Sequence, residues 1–282
     1  MKKTLLMTLS LLSFSAFADS VKIINIGSAT SPTAMYANAY AKNLQISNTF
    51  VPAKSCRDAM SIAEKEKSVL LIPNDIYLQA QRLGQECSPK LDPTKILITS
   101  DAYFEICRKP ESNKTFNSPD VAVGRASVHP IKEWEYDFNK RNNTDVKGIA
   151  FSGSGTVLTA VLNGDVDWGF IAREIAEPAV KEGRIECPYN TEASSPKSLH
   201  KKYSMINNEY VLKYILITNV TDESLLNSLK SAAADPAFLH YLKASKHTNI
   251  STSPTQIHVD SYLKSIDQLN VLLTAFDQRS DK

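Results

Sequence analysis

The sequence has no second long hydrophobic run. After residue 19 no apolar stretch approaches the roughly 20 residues that span a bilayer, so we expect no transmembrane helix there. The apolar run that is present lies at the start, where Lys2 and Lys3 precede apolar residues 5–17 and the small-residue segment 16–18 is Ala-Phe-Ala. Basic, apolar and A-x-A segments in this order are typical of a cleavable secretory signal. We therefore predict a signal peptide over residues 1–18 and a mature protein in the periplasm, the alternative being an uncleaved anchor.

Cysteine is scarce, with four residues in the chain: Cys56, Cys87, Cys107 and Cys187. None stands immediately after the predicted cleavage site, which argues against a lipid anchor on the mature chain. None forms a C-x-x-C pair or has a histidine at metal-ligand spacing, so a zinc site and thioredoxin-like chemistry are disfavoured. An even number of cysteines in an oxidising compartment indicates disulfides. Four cysteines allow three pairings, and the residues alone leave all three open.

Charge of one sign is not in excess, and signatures of catalysis are absent. The chain has 32 lysines and arginines against 30 acidic residues, and the scattered basic residues argue against a nucleic-acid partner. The five histidines are dispersed, without H-E-x-x-H or a metal cluster. Ser154 lacks the G-x-S-x-G order of a nucleophile elbow. We predict no catalytic residue, metal or cofactor. A hydrolase or transferase built from distant residues stays the alternative, because spacing does not reveal such a site.

Short apolar runs alternate with amphipathic segments along the chain. Residues 68–72 form a continuous apolar run, as expected of a parallel strand covered on both faces. The alternation occurs twice, which predicts an α/β protein with two lobes, each a mostly parallel sheet flanked by helices. The principal predicted strands cover residues 21–26, 50–51, 68–72, 95–99, 121–124, 148–151 and 166–171.

The loops that follow these strands predict a site for an anion. Ligands of such sheets bind outside the carboxyl ends of the strands, where helix N-termini attract negative charge. Arg125 offers a planar fork to a carboxylate and Arg173 a second cation, whereas Asp75 either meets a ligand ammonium or hydroxyl or caps a helix. The serines serve equally as helix caps. The predicted ligand-binding residues are Ser28, Ala29, Thr30, Asn74, Asp75, Arg125, Ala126, Ser127, Phe151, Ser152, Gly153, Ser154 and Arg173.

Several segments resemble a known receptor family. Residues 146–156 are VKGIAFSGSGT and residues 160–170 are AVLNGDVDWGF. They are similar to the strand, loop, helix and L-x-G-x-V-D-x-x-F run of the Bug-type (TctC) receptors of tripartite tricarboxylate transporters. Residues 23–44 and 231–238 resemble the first unit and the C-terminal helices of that family, so that the resemblance extends over nearly the whole mature chain.

The resemblance implies a type II periplasmic-binding-protein fold that closes on a small carboxylate and delivers it to inner-membrane permease subunits. Lobe one would comprise residues 19–101 and 217–282, and lobe two residues 102–216. Disulfides joining Cys56 to Cys87 and Cys107 to Cys187 would then each lie within one lobe. We expect a monomer that binds a small anionic solute. The alternative partner is a membrane sensor kinase that reads the liganded form.

This chain departs from the family pattern in the loops that would contact a ligand. The glycine pair and aspartate of the first loop are replaced by residues 28–32, Ser-Ala-Thr-Ser-Pro. Phe151 and Ser152 stand where the family has tyrosine and lysine, and the lobe-two loop carries Arg125 and His129. These changes weaken the inference of a dicarboxylate and leave the identity of the solute open.

Overall fold

The computed structural model of the protein describes residues 20–27, 29, 31–82, 91–126, 131–204 and 211–280. The predicted signal peptide lies outside this part of the chain and stays a prediction. The strands of the described chain are β1 Val21–Ile26, β2 Asn48–Ala53, β3 Ser68–Pro73, β4 Ile96–Arg108, β5 Ala122–Ala126, β6 Lys147–Phe151, β7 Trp168–Ala172, β8 Glu186–Asn190, β9 Val211–Thr218 and β10 Thr248–Ser251.

Helices follow most of these strands, as the alternation of the sequence predicts. Four of them, α1, α2, α7 and α8, begin at an N-cap residue whose side chain accepts a hydrogen bond from a backbone N–H of the first turn. The caps are Ser31, Ser55, Asp222 and Asp235. The helices are α1 Pro32–Lys42, α2 Cys56–Ala63, α3 Asn74–Arg82, α4 Ile131–Asn142, α5 Ser154–Asn163, α6 Arg173–Lys181, α7 Glu223–Ala233, α8 Pro236–Ala244 and α9 Gln256–Ser280.

One long strand, β4, connects the two halves of the sheet. The strand order is β2-β1-β3-β9-β4-β7-β5-β6, and β8 and β10 also pair with β4. From Ile96 to Tyr103 the strand pairs with β9, and from Phe104 to Cys107 it pairs with β7. We call the half formed by β1, β2, β3, β9, β10 and the first part of β4 lobe one, and the half formed by β5 to β8 and the rest of β4 lobe two. The predicted two-lobed α/β architecture is therefore confirmed.

The chain ranges predicted for the lobes stay a prediction. In the sheet, the exchange of partners on β4 falls between Tyr103 and Phe104. The returning strand β9 pairs with β3 and with the first part of β4, beginning at Val211.

Lobe one is built on a parallel core strand that water does not reach. All six residues of β3 are buried, and the strand runs parallel to β1 and antiparallel to β9. Tyr36 of α1 packs against Tyr214 of β9 and Phe238 of α8, with ring centroids 5.5 Å apart in both pairs. These rings bury a large apolar area and lock α1 to the sheet.

Lobe two has its own small core beside a disulfide. Cys107 of β4 is bonded to Cys187 of β8, which confirms the predicted pairing of these two residues. Val157 and Val161 of α5 pack with Ile171 of β7 in the same cluster. The bond closes a loop of about 80 residues and so restricts the unfolded chain. The pairing of Cys56 with Cys87 stays a prediction, because Cys87 lies outside the described residues.

Across the described chain, we find no helix that is both long enough and apolar enough to cross a bilayer.

Gly169 lets α5 lie directly on β7. A Cβ added at this residue would lie 2.7 Å from Val157 Cγ1 and 2.8 Å from Val161 Cγ2. We expect Gly169→Ala to lower the free energy of unfolding by about 1–3 kcal/mol through overpacking. The matched control is Gly155→Ala in α5, where an added Cβ meets no atom within 4 Å. Helix propensity predicts a gain of up to about 1 kcal/mol for this control. Chemical denaturation of both variants tests the pair, and equal stabilities would contradict the close packing.

Candidate functional site

A cleft lies between the two lobes, at the carboxyl ends of the parallel strands. It encloses a cavity of about 100 Å³. Strands β1 and β3 lead into it from lobe one, and β5, β6 and β7 lead into it from lobe two. The lining residues within the described chain are Ile26, Gly27, Ser31, Pro32, Thr33, Pro73, Asp75, Ile76, Phe104, Ala126, Ser152, Gly153, Ser154, Ala172, Leu212 and Tyr214.

The N-terminus of α1 forms one wall of this cleft. Ser31 caps the helix by accepting a hydrogen bond from the Ala34 N–H at 3.2 Å, and its hydroxyl also lies 2.8 Å from Thr33 Oγ1. Pro32 occupies the first turn, where its missing N–H is not needed. The partial positive charge at this helix end therefore faces the cavity.

The N-terminus of α5 forms the opposite wall, in lobe two. Ser154 Oγ accepts a hydrogen bond from the Ala172 N–H at 3.1 Å, which ties the helix to the end of β7. Gly153 is the N-cap residue and brings no side chain to the cap; its backbone is extended, with φ of 173°. An added Cβ at Gly153 would meet no atom within 4 Å. The first turn of α5 is therefore open to an acceptor from a ligand.

The lining residues of the described chain include one charged side chain, that of Asp75. Asp75 is 1% exposed and lies in the first turn of α3. Its Oδ1 accepts a hydrogen bond from the Ile76 N–H at 2.8 Å. The remaining surface is mostly apolar and includes Phe104, Leu212 and Tyr214. The cavity thus combines two electropositive helix ends, one carboxylate and apolar walls.

Five of the residues predicted from the sequence line the cleft: Asp75, Ala126, Ser152, Gly153 and Ser154. The other five that the structure describes, among them Arg125 and Arg173, do not. Asn74 is buried behind the cleft, where its Nδ2 donates to Val211 O and to Ser265 Oγ. Phe151 packs against the core of lobe two, and Ala29 lies exposed in its loop. Ser28, Thr30 and Ser127 lie outside the described residues.

Arg125 does not line the cavity in this structure. Its Nε lies 3.6 Å from Glu135 Oε2, and its side chain is 12% exposed. Glu135 in turn accepts a hydrogen bond from the Gly148 N–H at 2.7 Å. Arg125 would have to leave Glu135 to reach a ligand, and its role in ligand binding stays a prediction.

Arg173 is held by two carboxylates of lobe two. Its Nε donates to Glu105 Oε1 at 2.5 Å, and its Nη2 donates to Glu192 Oε2 at 3.1 Å. The guanidinium also lies over the ring of Tyr103. Arg173 lines a separate cavity of about 300 Å³ that also includes Lys197 and Lys246. Its predicted contact with the ligand of the cleft stays a prediction.

Several cleft residues were not predicted from the sequence. Leu212 and Tyr214 come from β9, which returns to lobe one from a distant part of the chain, and no local pattern marks them. Ser31 and Thr33 did carry a signal. A serine followed by proline is the usual start of a helix, and that start is what brings both residues to the cleft.

No known family model and no curated protein matches the sequence. Solved structures do match the fold. BugD, a periplasmic binding protein, is 13% identical with a TM-score of 0.68, over 92% of this chain and 97% of its own. A structure of an R. palustris protein with adipate is 12% identical with a TM-score of 0.68, over 90% and 96%. MatC from Rhodopseudomonas palustris with bound malate is 13% identical with a TM-score of 0.61, over 89% and 98%.

This chain has the fold of periplasmic solute-binding proteins. The predicted resemblance to the Bug-type and TctC-type receptors is confirmed for the fold, since structures described as BugD and as a TctC solute-binding protein share it. In this solute-binding-protein fold, the part of the chain that the structure describes contains no group of three or more histidine, cysteine or acidic residues placed to hold a metal ion.

A buried carboxyl group of lobe two faces lobe one of this binding-protein fold. Oε2 of Glu174, in the first turn of α6, is buried without a hydrogen-bond partner. Burial raises the pKa of Glu174 to about 7. The group interacts electrostatically with Tyr214 of β9 and Tyr241 of α8. Three residues further along α6, Glu177 lies 3.7 Å from Lys246 of lobe one. Helix α6 therefore contacts lobe one through the buried carboxyl group of Glu174 and the ion pair of Glu177.

The raised pKa of Glu174 predicts a pH dependence of stability. The folded state keeps this proton to higher pH than the unfolded chain does, so stability falls as the pH rises from about 4.5 through about 7. We expect Glu174→Gln to be more stable than the wild type at about pH 8, and the difference to vanish or reverse near pH 5. Thermal unfolding followed by circular dichroism across this range measures it.

The control for this prediction is Glu177→Gln, which removes a carboxylate paired with Lys181 and Lys246 on the same helix. It should bring no gain in stability at about pH 8. A wild type and a Glu174→Gln variant with parallel pH profiles would show that Glu174 is ionised in the folded protein at the same pH as in the unfolded chain.

Proposed function

We propose that this protein is a periplasmic receptor that binds one small anionic solute, a carboxylate, between its two lobes and delivers it to an inner-membrane transporter. The observation that carries the proposal is the meeting of two helix N-termini, those of α1 and α5, across one cavity. Ser31 and Thr33 line the cavity from lobe one, and Ser152, Gly153 and Ser154 line it from lobe two.

This geometry suits a carboxylate because a helix N-terminus acts as roughly half a positive charge and offers unpaired N–H groups. Two such ends balance about one negative charge without a basic side chain. Around them, the apolar side chains of Ile26, Phe104 and Leu212 keep water away from the ligand, and a lower dielectric strengthens each polar contact. An anion held by both helices also joins the lobes, which favours closure.

Two observations outside the cleft support the same proposal. Residues 1–18 have the pattern of an export signal, which supports a periplasmic location of the mature chain. Two structures of the same fold contain carboxylates, malate in MatC and adipate in the R. palustris protein. The partner that receives the solute would be a set of permease subunits, with a membrane sensor kinase as the second candidate.

A receptor role also fits the chemistry of the lining serines. Ser31 and Ser154 are engaged as acceptors of backbone N–H groups from Ala34 and Ala172. Among the cleft residues that the structure describes, no histidine or lysine stands beside either hydroxyl to remove its proton. We propose binding and release of the solute without turnover.

Gly153→Asp tests the helix-terminus site directly. The extended backbone and open space at Gly153 accept the side chain, and aspartate is a good N-cap that should preserve or raise the Tm of the unliganded protein. Its carboxylate would occupy the place of the ligand's negative charge. We expect loss of the Tm increase and of the calorimetric binding signal that carboxylates cause in the wild type.

The matched control is Gly153→Asn, which has the same shape without the charge and should retain much of the binding. The ligand panel contains malate, adipate, succinate, alanine and 4-aminobutanoate, with glucose as an uncharged solute. Stabilisation by glucose alone would refute the anion-receptor proposal. Full binding by Gly153→Asp would remove the N-terminus of α5 from the site.

A further inference from the structure

A second cavity lies beside helix α6, apart from the cleft between the lobes. Its volume is about 300 Å³, against about 100 Å³ for the cavity of the cleft. Pockets that hold small organic molecules begin at about this larger size. Among the described residues, none lines both cavities. The second cavity is therefore a candidate site in its own right.

The charges that line this cavity leave one positive charge in excess. Three cations and two carboxylates line it: Arg173, Lys197, Lys246, Glu105 and Glu177. Two further side chains that pair with them from outside the lining, Glu192 and Lys181, add one charge of each sign. Within the described chain, the surroundings of the cavity thus match a ligand with a single negative charge.

The excess charge belongs to the two lysines of the lining. In the part of the chain that the structure describes, Lys197 forms no ion pair; its Nζ donates to the backbone oxygen of Cys187 at 3.2 Å, and its charge acts on Glu105 only through space. Lys246 lies 3.7 Å from Glu177, which also pairs with a second lysine of α6 at 3.0 Å. Because each ammonium group has three N–H donors, both lysines retain donors for a ligand.

The backbone of Lys246 indicates that its side chain matters. Lys246 directly follows Ser245, the C-cap residue of α8, and has a φ of 59°. Glycine is the usual residue at this left-handed position, since a Cβ is unfavourable there. The lysine brings a cation of lobe one to Glu177 of lobe two, which a glycine would not do.

Apolar groups form the rest of the lining. Ala176 and Val180 lie about one turn apart on α6, and Cys187 belongs to the disulfide of lobe two. The side chain of Val180 is 41% exposed, so an apolar surface is open beside the lysines. A ligand with an apolar body would remove this surface from water, which favours binding.

We propose that this cavity is a second binding site, for a small organic monoanion whose carboxylate meets Lys197 and Lys246 and whose apolar body covers Ala176 and Val180. Lys246 belongs to lobe one and α6 to lobe two, so the bound anion contacts both lobes outside the cleft. The site goes beyond the proposed receptor function and does not depend on the solute of the cleft.

Benzoate tests the site in the Gly153→Asp variant, whose cleft we expect to bind no carboxylate. Benzyl alcohol has the ring without the charge, and acetate has the charge without the ring. NMR titration measures each Kd. We expect benzoate to bind at least about threefold more tightly than either compound, because an exposed ion pair and a small apolar contact each contribute modestly.

Two lysine substitutions assign the binding to this cavity. Lys246→Gly removes the cation and places the favoured residue in the left-handed backbone, so the fold should be retained. Combined with Lys197→Gln in the Gly153→Asp protein, it should weaken benzoate binding at least about tenfold. The control combines Lys243→Gln and Lys264→Gln, two exposed lysines outside the lining. It removes the same net charge and should leave the Kd of benzoate unchanged.

Val180 offers a test that leaves the lysines in place. Val180→Glu adds a carboxylate to the apolar part of the lining, on an exposed side of α6 that tolerates a polar residue. Its control, Val180→Gln, has nearly the same shape without the charge. Repulsion should make benzoate bind at least about threefold more weakly to the glutamate variant than to the glutamine variant.

The results that would overturn the proposal differ from those that would refute the receptor. No benzoate binding by the Gly153→Asp protein, or equal binding of benzyl alcohol or acetate, would overturn the second site for an apolar monoanion. Unchanged benzoate binding in the double lysine variant would place the anion elsewhere; if that variant does not fold, equal binding by the two Val180 variants decides in the same way. None of these results concerns the binding of carboxylates in the wild-type cleft.

Discussion

The backbone ladder of β4 is the interaction on which the arrangement of the protein depends. This strand exchanges its partner from β9 to β7 between Tyr103 and Phe104, so that one continuous strand belongs to both sheets. Backbone hydrogen bonds are obligatory inside a protein, and a strand that satisfies them on both sides holds the two lobes in register. The residue at the exchange, Phe104, lines the cleft. The position of the binding cavity follows from where β4 changes partner.

Around the cleft, the described arginine side chains and the backbone N–H groups at helix ends have different roles. The two arginines that follow lobe-two strands in the sequence, Arg125 and Arg173, are each met by a carboxylate of lobe two. Both guanidinium groups are largely buried, and such a group without its carboxylate would be left as a costly uncompensated charge. Among the described lining residues no lysine or arginine is present, and the first turns of α1 and α5 each contribute a fraction of a positive charge. Asp75 is the one charged side chain among the described residues that line the cavity.

Helix α6 contacts lobe one through two glutamates, one in an ion pair and one with a buried carboxyl group. Glu177 forms an ion pair with Lys246 of lobe one, an exposed contact that salt weakens. Glu174 places a buried carboxyl group close to Tyr214 and Tyr241, and burial disfavours its charged form. Because Tyr214 also lines the cavity, the contact surface of α6 and the binding site share a residue.

The sequence by itself determined the α/β class, the two lobes and part of the cleft, because strand periodicity, helix caps and loops at strand ends are local features. Ser152, Gly153 and Ser154 were predicted in this way. Only the tertiary structure decided where Arg125 and Arg173 point and that Tyr214 reaches the cleft. The physical reason is that packing selects these neighbours: Glu105 is distant in the chain from Arg173, and β3 and β4 are distant from the returning strand β9.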